Sequence, residues 1–256
     1  MILRAIFPTI TNRIISRARA RALVILQNDI SSNGGNGCYL DLQVDDVVNC
    51  EVRENYIHAN DDGIDLHLGR HTEPFRIENN VIMSNEYGLV LWSRHYLPID
   101  ICVGNNSITK NRLDGIWMRG EENAGIEVMF CVVSENRIGI TFGDSTDNFA
   151  HFNDISENRE KGVSVSSGAI VDAENNYWGS SSGPFHETIN PTGQGNSVNG
   201  DGTDLDFIPF LTQRVDPIIP EFSSFLILPL FMASALIVVI IYRIVHFYYD
   251  DPKVKN

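Results

Sequence analysis

Residues 55–66, Asn-Tyr-Ile-His-Ala-Asn-Asp-Asp-Gly-Ile-Asp-Leu, contain the pattern that decides the fold. Written as Asn-x-Ile-x-x-Asn-x-x-Gly-Ile-x-Leu, this pattern returns along the chain, with Cys131 replacing the leading Asn in one copy. Successive copies start 22–27 residues apart, which is typical of stacked repeats whose single units cannot bury their own apolar face. Apolar residues alternate with period two, which predicts short strands joined by turns. The seven copies begin at residues 28, 55, 80, 106, 131, 153 and 176.

Three positions of the repeat are apolar or small in nearly every copy, and we expect them to stack into columns of a continuous core. Strands about 4.8 Å apart make a rod on the order of 30 Å long from seven coils. The predicted columns are Ile25, Val52, Ile77, Val103, Val128, Ala150 and Ala173; then Ile30, Ile57, Ile82, Ile108, Val133, Ile155 and Trp178; then Cys38, Ile64, Leu89, Ile116, Ile140 and Val163.

The recurring Asn residues are predicted to form the corners of each coil. Asn tolerates the left-handed backbone conformation that a corner needs, and its amide can bond to the Asn of the next coil as a ladder. We therefore expect Asn111→Asp, at a corner, to cost much less stability than Ile108→Asp in the core.

The repeat resembles that of the right-handed parallel β-helix families: the pectin-lyase-like superfamily and, within it, the NosD-like accessory proteins of copper-site maturation. This resemblance covers roughly residues 20–180 and implies an all-β, right-handed parallel β-helix (solenoid) of about seven coils. Residues 175–179 (Asn-Asn-Tyr-Trp-Gly) and 220–222 (Pro-Glu-Phe) are similar to motifs of archaeal-type surface proteins. The superfold carries lyases, hydrolases, epimerases, adhesins and structural proteins, so it does not choose a function.

Composition divides the chain into six parts. The first is basic and is interpreted as a fragment of an earlier coil or a truncated start. The segment at 222–242 has no charged residue over 21 positions. This length is enough to cross a bilayer as a helix, although a buried core helix is an alternative. The predicted parts are 1–20, the basic N-terminal segment; 21–179, the repeats; 180–214, a C-terminal cap with an apolar strand or plug at 204–211; 215–221, a linker; 222–242, a single transmembrane helix; and 243–256, a short tail.

Charge on either side of the apolar segment predicts its orientation in the membrane. Arg243, Lys253 and Lys255 follow it, whereas Arg214 alone closely precedes it. The positive-inside rule then places the C-terminus in the cytoplasm and the repeats outside, in the extracellular or periplasmic space.

The net charge of −14 argues against a nucleic-acid partner. The four cysteines have no CxxC spacing. Cys38 and Cys50 fall on inward positions and Cys131 on an Asn position, so we interpret them as small buried fillers and not as metal ligands or a disulfide. No cofactor is predicted, since neither calcium nor copper has a supporting motif.

Outward positions on the strand after each Gly predict a ligand-binding face. Tryptophans beside a carboxylate and a guanidinium suit a saccharide, because indoles offer apolar plates and the polar groups reach hydroxyls or uronates. Trp92 and Trp117 lie one coil apart and are expected to form a continuous plate for a polysaccharide or envelope glycan. The alternative is that the loops at 92–98 and 119–124 bury both indoles. The predicted ligand-binding residues are Asp65, His67, Trp92, Trp117 and Arg119.

A second outward line lies at a corner of the coils and carries three arginines, which could contact a polyanion bidentately. The alternative is that each arginine pairs with a nearby glutamate, Glu135, Glu157 or Glu160. The three are Arg112, Arg137 and Arg159.

Asp61 and Asp62 resemble the paired aspartates of polygalacturonase-type β-helices, and with Asp65 they are the candidate acid and base residues. The Gly-His-Gly motif of those families is absent. We therefore predict a membrane-anchored surface protein that binds carbohydrate or serves in the envelope or in adhesion. A polysaccharide lyase or hydrolase and a NosD-like factor for copper-site maturation are the alternatives.

Overall fold

The structure is a computed structural model that describes residues 14–16, 23–42, 50–68, 75–93, 101–119, 125–143, 146–166, 168–200, 202 and 204–214. Within these ranges, no helix is long and apolar enough to span a membrane. The predicted span at 222–242 and its tail lie outside the described residues, as do the linker and most of the basic N-terminal segment.

The described part is built from twenty short strands. In chain order they are β1 Ile14–Ser16, β2 Val24–Leu26, β3 Asp29–Ser31, β4 Cys38–Leu42, β5 Glu51–Arg53, β6 Tyr56–His58, β7 Asp62–Leu68, β8 Phe75–Glu78, β9 Val81–Met83, β10 Tyr87–Ser93, β11 Ile101–Gly104, β12 Ser107–Thr109, β13 Asp114–Arg119, β14 Ile126–Met129, β15 Val132–Ser134, β16 Ile138–Phe142, β17 Asn148–His151, β18 Lys161–Val165, β19 Val171–Asp172 and β20 Leu205–Asp206.

These strands form three parallel sheets through which the chain passes in turn. The seven-stranded sheet has the order β1-β4-β7-β10-β13-β16-β18, the eight-stranded sheet β2-β5-β8-β11-β14-β17-β19-β20, and the five-stranded sheet β3-β6-β9-β12-β15. Neighbours in each sheet come from successive repeats, so the chain winds as a parallel β-solenoid. About five turns carry strands of all three sheets.

The core contains the predicted columns. Ile57 pairs in register with Ile30 on one side and Ile82 on the other, and all three side chains are fully buried. The same holds for the column through Ile64 and Leu89. Like residues stack over like because successive coils repeat the same backbone path at the strand spacing.

The predicted Asn ladder is also confirmed. Asn85 Nδ2 donates to Asn111 Oδ1 at 3.2 Å, and Asn111 Nδ2 donates to Asn136 Oδ1 at 3.0 Å. Each Oδ1 also accepts the backbone N–H of the preceding ladder residue, as Asn111 Oδ1 does from Asn85 at 3.0 Å. Cys131 occupies a ladder position, where its Sγ accepts from the Asn106 N–H at 3.4 Å.

The prediction that the ladder Asn itself takes the left-handed backbone is wrong. Within the predicted repeats, positive φ occurs at the residue just before the ladder position, for example 55° at Ala59 and 56° at Phe152. The preceding residue makes the turn, and the Asn side chain points inward to bond its counterparts.

The glycine that opens the next strand is required by the ladder. A Cβ added to Gly115 would lie 2.7 Å from Asn136 Nδ2 and 2.8 Å from the Gly139 carbonyl oxygen. Those approaches are closer than van der Waals contact allows, so a side chain there would push adjacent coils apart.

Both ends of the solenoid extend beyond the predicted repeats. Strand β1, inside the segment set apart as basic, pairs with β4. At the other end, Asn158 Nδ2 donates to Asn196 Oδ1 at 3.3 Å, so Asn196 continues the ladder after a step of 38 residues. Within the predicted apolar strand at 204–211, β20 pairs with β19 and buries Leu205.

Candidate functional site

The structure brings the five predicted ligand-binding residues together on the outer face of the seven-stranded sheet. Val90 pairs with Asp65 on one side and Trp117 on the other, while Trp92 pairs with His67 and Arg119. Because β-strand side chains alternate between the two sheet faces, these residues occupy two neighbouring outward columns across β7, β10 and β13.

Rings and one guanidinium form a continuous row along this face, here called the ring row. The His67 and Trp92 rings stack with centroids 5.5 Å apart and an interplanar angle of 10°. Arg119 Cζ lies 4.2 Å from the Trp92 ring centroid and 4.0 Å from that of Trp117. Tyr39 extends the row beyond His67 at 5.2 Å, and Tyr87 stacks on Trp117 at 4.9 Å. The members are Tyr39, His67, Trp92, Arg119, Trp117 and Tyr87.

The predicted plate of two adjoining indoles is wrong in its geometry. Trp92 and Trp117 lie in different columns, and the Arg119 guanidinium joins them by lying over both rings. Both indoles remain partly exposed. The loop residues that the alternative would fold over them, 94–98 and 120–124, lie outside the described residues. The described part of this face therefore presents two partly exposed indoles with a guanidinium over both.

Tyr39 and Tyr87 were missed by the sequence analysis, although a signal existed for Tyr39. It stands one repeat before Asp65 in the same outward column and pairs with it in register. Tyr87 stands just before a repeat glycine and pairs in register with Asp62. Burial, followed by the negative charge of Asp114, raises the pKa of Tyr87.

Carboxylates border the ring row at its early coils. Asp65 is 8% exposed, and its Oδ1 lies 3.1 Å from His67 Nε2 while its Oδ2 accepts from Asn36 Nδ2 at 2.7 Å. Burial and the nearby charges of Asp65 and Asp61 raise the pKa of Asp62 to about 6. Of the candidate acid and base residues, Asp61 is exposed. The other two lie against the row.

Asp114 is a further acidic residue of this face that sequence reasoning did not find. It is 4% exposed, and its carboxylate accepts from Arg137 Nη2 at 3.0 Å and from Thr141 Oγ1 at 2.7 Å. Asp114 stands directly before the repeat glycine Gly115, where an Asp is easily interpreted as a turn residue.

The three corner arginines do not form the predicted alternative ion pairs with Glu135, Glu157 or Glu160. Arg112 pairs with Glu86, and Arg137 pairs with Asp114. Arg159 donates to the backbone carbonyl oxygens of Asn111 and Arg112. Their partners differ from the glutamates that the sequence proposed, and contact with a polyanion stays a prediction.

Metal-binding side chains do not gather among the described residues into any group of three or more His, Cys, Asp or Glu that could hold an ion. None of the four cysteines forms a disulfide. Cys38, Cys50 and Cys131 are buried, as predicted, and burial raises the pKa of the Cys38 and Cys131 thiols to about 12.

These features define a parallel β-helix protein with an aromatic and charged outer face. The model of the family described as periplasmic copper-binding protein (NosD) matches residues 23–176. This match covers more than half of the 256 residues, so the chain belongs to the NosD family. A comparison with curated proteins finds no match.

Two solved structures are similar in fold. A point mutant of the periplasmic alginate epimerase AlgG is 17% identical, with a TM-score of 0.52, over 76% of this chain and 50% of that one. The unmutated epimerase is 15% identical, with a TM-score of 0.49 and the same coverage. The chain thus spans about half the length of these structures, and the first likeness supports the right-handed parallel β-helix fold alone.

Proposed function

We propose that the outer face of the seven-stranded sheet binds a saccharide, specifically an acidic polysaccharide, without cleaving it. The observation that carries the proposal is the ring row, in which Arg119 lies against Trp92 and Trp117 beside the carboxylates of Asp62 and Asp65. Aromatic rings combined with a few fixed polar groups are what a sugar-binding surface requires.

The arrangement is pre-organised for a uronate. A guanidinium packed against two indoles loses little further freedom when it pairs bidentately with a carboxylate. Asp65 Oδ1 lies 3.1 Å from His67 Nε2, and these polar groups suit sugar hydroxyls. The partly exposed indoles supply apolar contact to the C–H groups of the sugar.

Binding is tested with the full chain in detergent, by titrating polysaccharides and following tryptophan fluorescence. Alginate belongs in the panel because it is an acidic polysaccharide. Trp178 is fully buried, so changes that saturate report on Trp92 and Trp117. We expect dissociation constants in the millimolar to high-micromolar range for a single site, of order −4 to −6 kcal/mol.

Two arginine variants separate the candidate surfaces. Arg119→Gln should weaken binding at least about tenfold, equal to about 1.4 kcal/mol. Arg112→Gln, at the corner and paired with Glu86, should leave it unchanged. Weaker binding in Arg112→Gln but not in Arg119→Gln would move the site to the line of corner arginines. If no glycan changes the fluorescence and iodide cannot quench Trp92 or Trp117, the proposal is overturned.

Acid–base catalysis on the same polysaccharide is a second candidate function. It is favoured by Asp62, whose pKa of about 6 leaves a useful protonated fraction near neutral pH, next to the Asp65–His67 pair. The measurement is the appearance of new reducing or unsaturated ends. Product that forms with the unsubstituted chain and disappears in Asp62→Asn would identify a lyase or hydrolase; none at any pH between 5 and 8 would leave a binding protein.

Membrane anchoring is proposed on the sequence of 222–242, with the repeats outside and the C-terminus cytoplasmic. The family description names the periplasm, which agrees with export of the repeats. Protease added outside the cytoplasmic membrane should remove the β-helix. Full protection of the β-helix under conditions that digest a known outer marker would contradict this orientation.

A further inference from the structure

Large apolar side chains are exposed only in the later coils and the cap of the described solenoid. None of the described residues before position 130 is among them. Single exposed apolar residues are normal on a soluble protein, but their restriction to one end of a repeating structure points to an interaction there. The exposed residues are Phe130, Phe149, Phe152, Ile170, Phe185, Ile189 and Ile208.

Three of these phenylalanines form one ring cluster with a histidine, here called the aromatic corner (Phe130, Phe149, His151 and Phe152). The Phe130 and Phe152 rings stack with centroids 5.5 Å apart and an interplanar angle of 10°. The His151 ring packs in a T-shaped arrangement against Phe149 at 5.9 Å and against Phe152 at 6.2 Å. The four rings thus form a continuous surface over two successive coils.

The backbone at this corner does not favour phenylalanine. Phe130 and Phe152 each stand just before a ladder position and have φ values of 55° and 56°. A bulky aromatic residue is unusual in the left-handed conformation, whereas Asn adopts it more readily. The fold therefore gains nothing from the two rings, and their place is at the surface. At the same corner the other predicted repeats and the coil before them carry the polar residues Gln27, Glu54, Asn79, Asn105 and Asn175.

The end of the described chain returns to this corner. The Asn175 N–H donates to the Pro209 carbonyl oxygen at 2.6 Å, so Pro209 continues the corner column. Arg214 Nε lies 2.6 Å from Oδ2 of Asp154, a fully buried residue that follows Phe152 by two positions. Seven residues, 215–221, precede the apolar segment at 222–242, and a chain of that length reaches at most about 25 Å.

We propose that the aromatic corner docks on the surface of a lipid bilayer. This inference rests on the proposed membrane anchoring through 222–242 and adds which part of the solenoid meets the membrane. Phenylalanine rings enter the boundary between lipid headgroups and acyl chains favourably, and the short connection after Arg214 keeps the corner within reach of that boundary. The corner joins the eight-stranded and five-stranded sheets, so the ring row on the third sheet stays accessible to its ligand.

The contact is apolar and not electrostatic. Phe149 pairs in register with Glu127 on one side and Asp172 on the other, and carboxylates are repelled by the negative potential of anionic lipid. Docking should therefore be strongest on zwitterionic phosphatidylcholine and weaker when phosphatidylglycerol is added. Stronger docking on phosphatidylglycerol would contradict an apolar contact at this corner.

The test uses the full-length chain reconstituted in phosphatidylcholine vesicles, with and without bromine on the acyl chains. Phe130→Trp places a fluorescent reporter at the corner, and Asn79→Trp places the same reporter at the same corner two coils earlier. Bromine quenches an indole only at close range. We expect brominated lipid to quench Phe130→Trp, while Asn79→Trp shows no more quenching than the unsubstituted chain.

A second substitution tests the neighbouring ring. Phe152→Asn installs the residue type found at Asn175 in the next coil, so the β-sheet circular dichroism should stay unchanged. Combined with Phe130→Trp, it should lower the quenching by brominated lipid by about half or more, because half of the stacked ring pair is removed.

Vesicle flotation separates failure of the docking from failure of the anchoring. A chain that does not float with the vesicles contradicts the anchoring and the docking together. A chain that floats while Phe130→Trp and Asn79→Trp are quenched equally, or while neither is quenched, overturns the docking alone. Quenching of Phe130→Trp that is absent while its emission shifts with protein concentration would assign the corner to a second copy of this chain.

Discussion

The inside and the outside of the solenoid follow different rules. Along an inward column such as Ile30, Ile57 and Ile82, the chemistry hardly changes from coil to coil. Along an outward column of the seven-stranded sheet the residue changes at each step, from His67 to Trp92 to Arg119. Buried side chains stacked one strand spacing apart must match in size and polarity. Side chains on the outer face contact solvent and need not match. Information about function therefore lies where the repeat is broken.

The largest expected effect comes from breaking the interior rule. Ile108→Asp places a charge among fully buried side chains and should lower the free energy of unfolding by at least about 4 kcal/mol. Thr109→Asp, one residue along and facing outward, should change it by about 0.5 kcal/mol or less. Thermal denaturation followed by circular dichroism makes the comparison. Similar, small effects at both positions would contradict the solenoid.

The ladder gives the next largest effect, at Asn111. This residue is 1% exposed, and its side chain takes part in four hydrogen bonds, with Ile82, Asn85 and Asn136. Asn111→Leu leaves those partners unsatisfied and should cost about 2–4 kcal/mol in unfolding free energy.

The ladder also offers a repair. Cys131 interrupts the row of amides, and its Sγ accepts weakly from Asn106 Nδ2 at 3.9 Å. Cys131→Asn should therefore be neutral or stabilise by up to about 1 kcal/mol. Urea denaturation of both ladder variants provides the measurement. A loss of stability in Cys131→Asn as large as that in Asn111→Leu would mean that amide stacking is not what holds the corner.

The smallest effect sharpens the outer side of the comparison. Burial and neighbouring acids raise the folded-state pKa of Asp62 from 3.8 to about 6, so the folded chain holds this proton more tightly than the unfolded chain. The resulting stabilisation is complete below pH 3.8 and disappears as the pH rises through 6. Asp62→Asn should raise the melting temperature by roughly 2–4 °C at pH 7.5, after allowance for solvent screening.

At pH 4.5 the same substitution should have much less effect, because the carboxyl group is then mostly protonated in the folded state. Asp61→Asn is the matched control, since Asp61 is exposed next to it and should show little difference between the two pH values. An equal rise in melting temperature for Asp62→Asn at both pH values would contradict the prediction, because the rise would then not come from titration of this carboxyl group.

The repeat pattern was enough to predict the strands, the inward columns and the existence of the Asn ladder. It was not enough for Asn196, which enters the ladder 38 residues after Asn158 instead of 22–27. Hydrogen bonding to the previous coil holds Asn196 in place, and an irregular connection of any length can precede it. The left-handed corner residue was also assigned one position too late. The Asn recurs because its side chain forms the ladder, whereas the left-handed backbone belongs to the residue before it.

On the outer face, sequence registers placed Asp65, His67, Trp92, Trp117 and Arg119 correctly because alternation along a strand is fixed by its geometry. Whether Arg119 would lie between the indoles was a matter of side-chain conformation, which the register leaves open. The surroundings of a glycine are likewise left open by the sequence, since a Cβ at Gly104 would meet no atom closer than 3.8 Å, whereas a Cβ at Gly115 would lie 2.7 Å from Asn136 Nδ2.

The sequence by itself thus determined the winding of this chain, because a solenoid repeats one local pattern and each coil needs only its neighbour. Tertiary structure decided which outward groups meet: the guanidinium against two rings, and the acids whose charges help to raise the pKa of Asp62. Arg119 meets Trp92 from 27 positions away, and its side chain is free to choose among rotamers until packed neighbours select one.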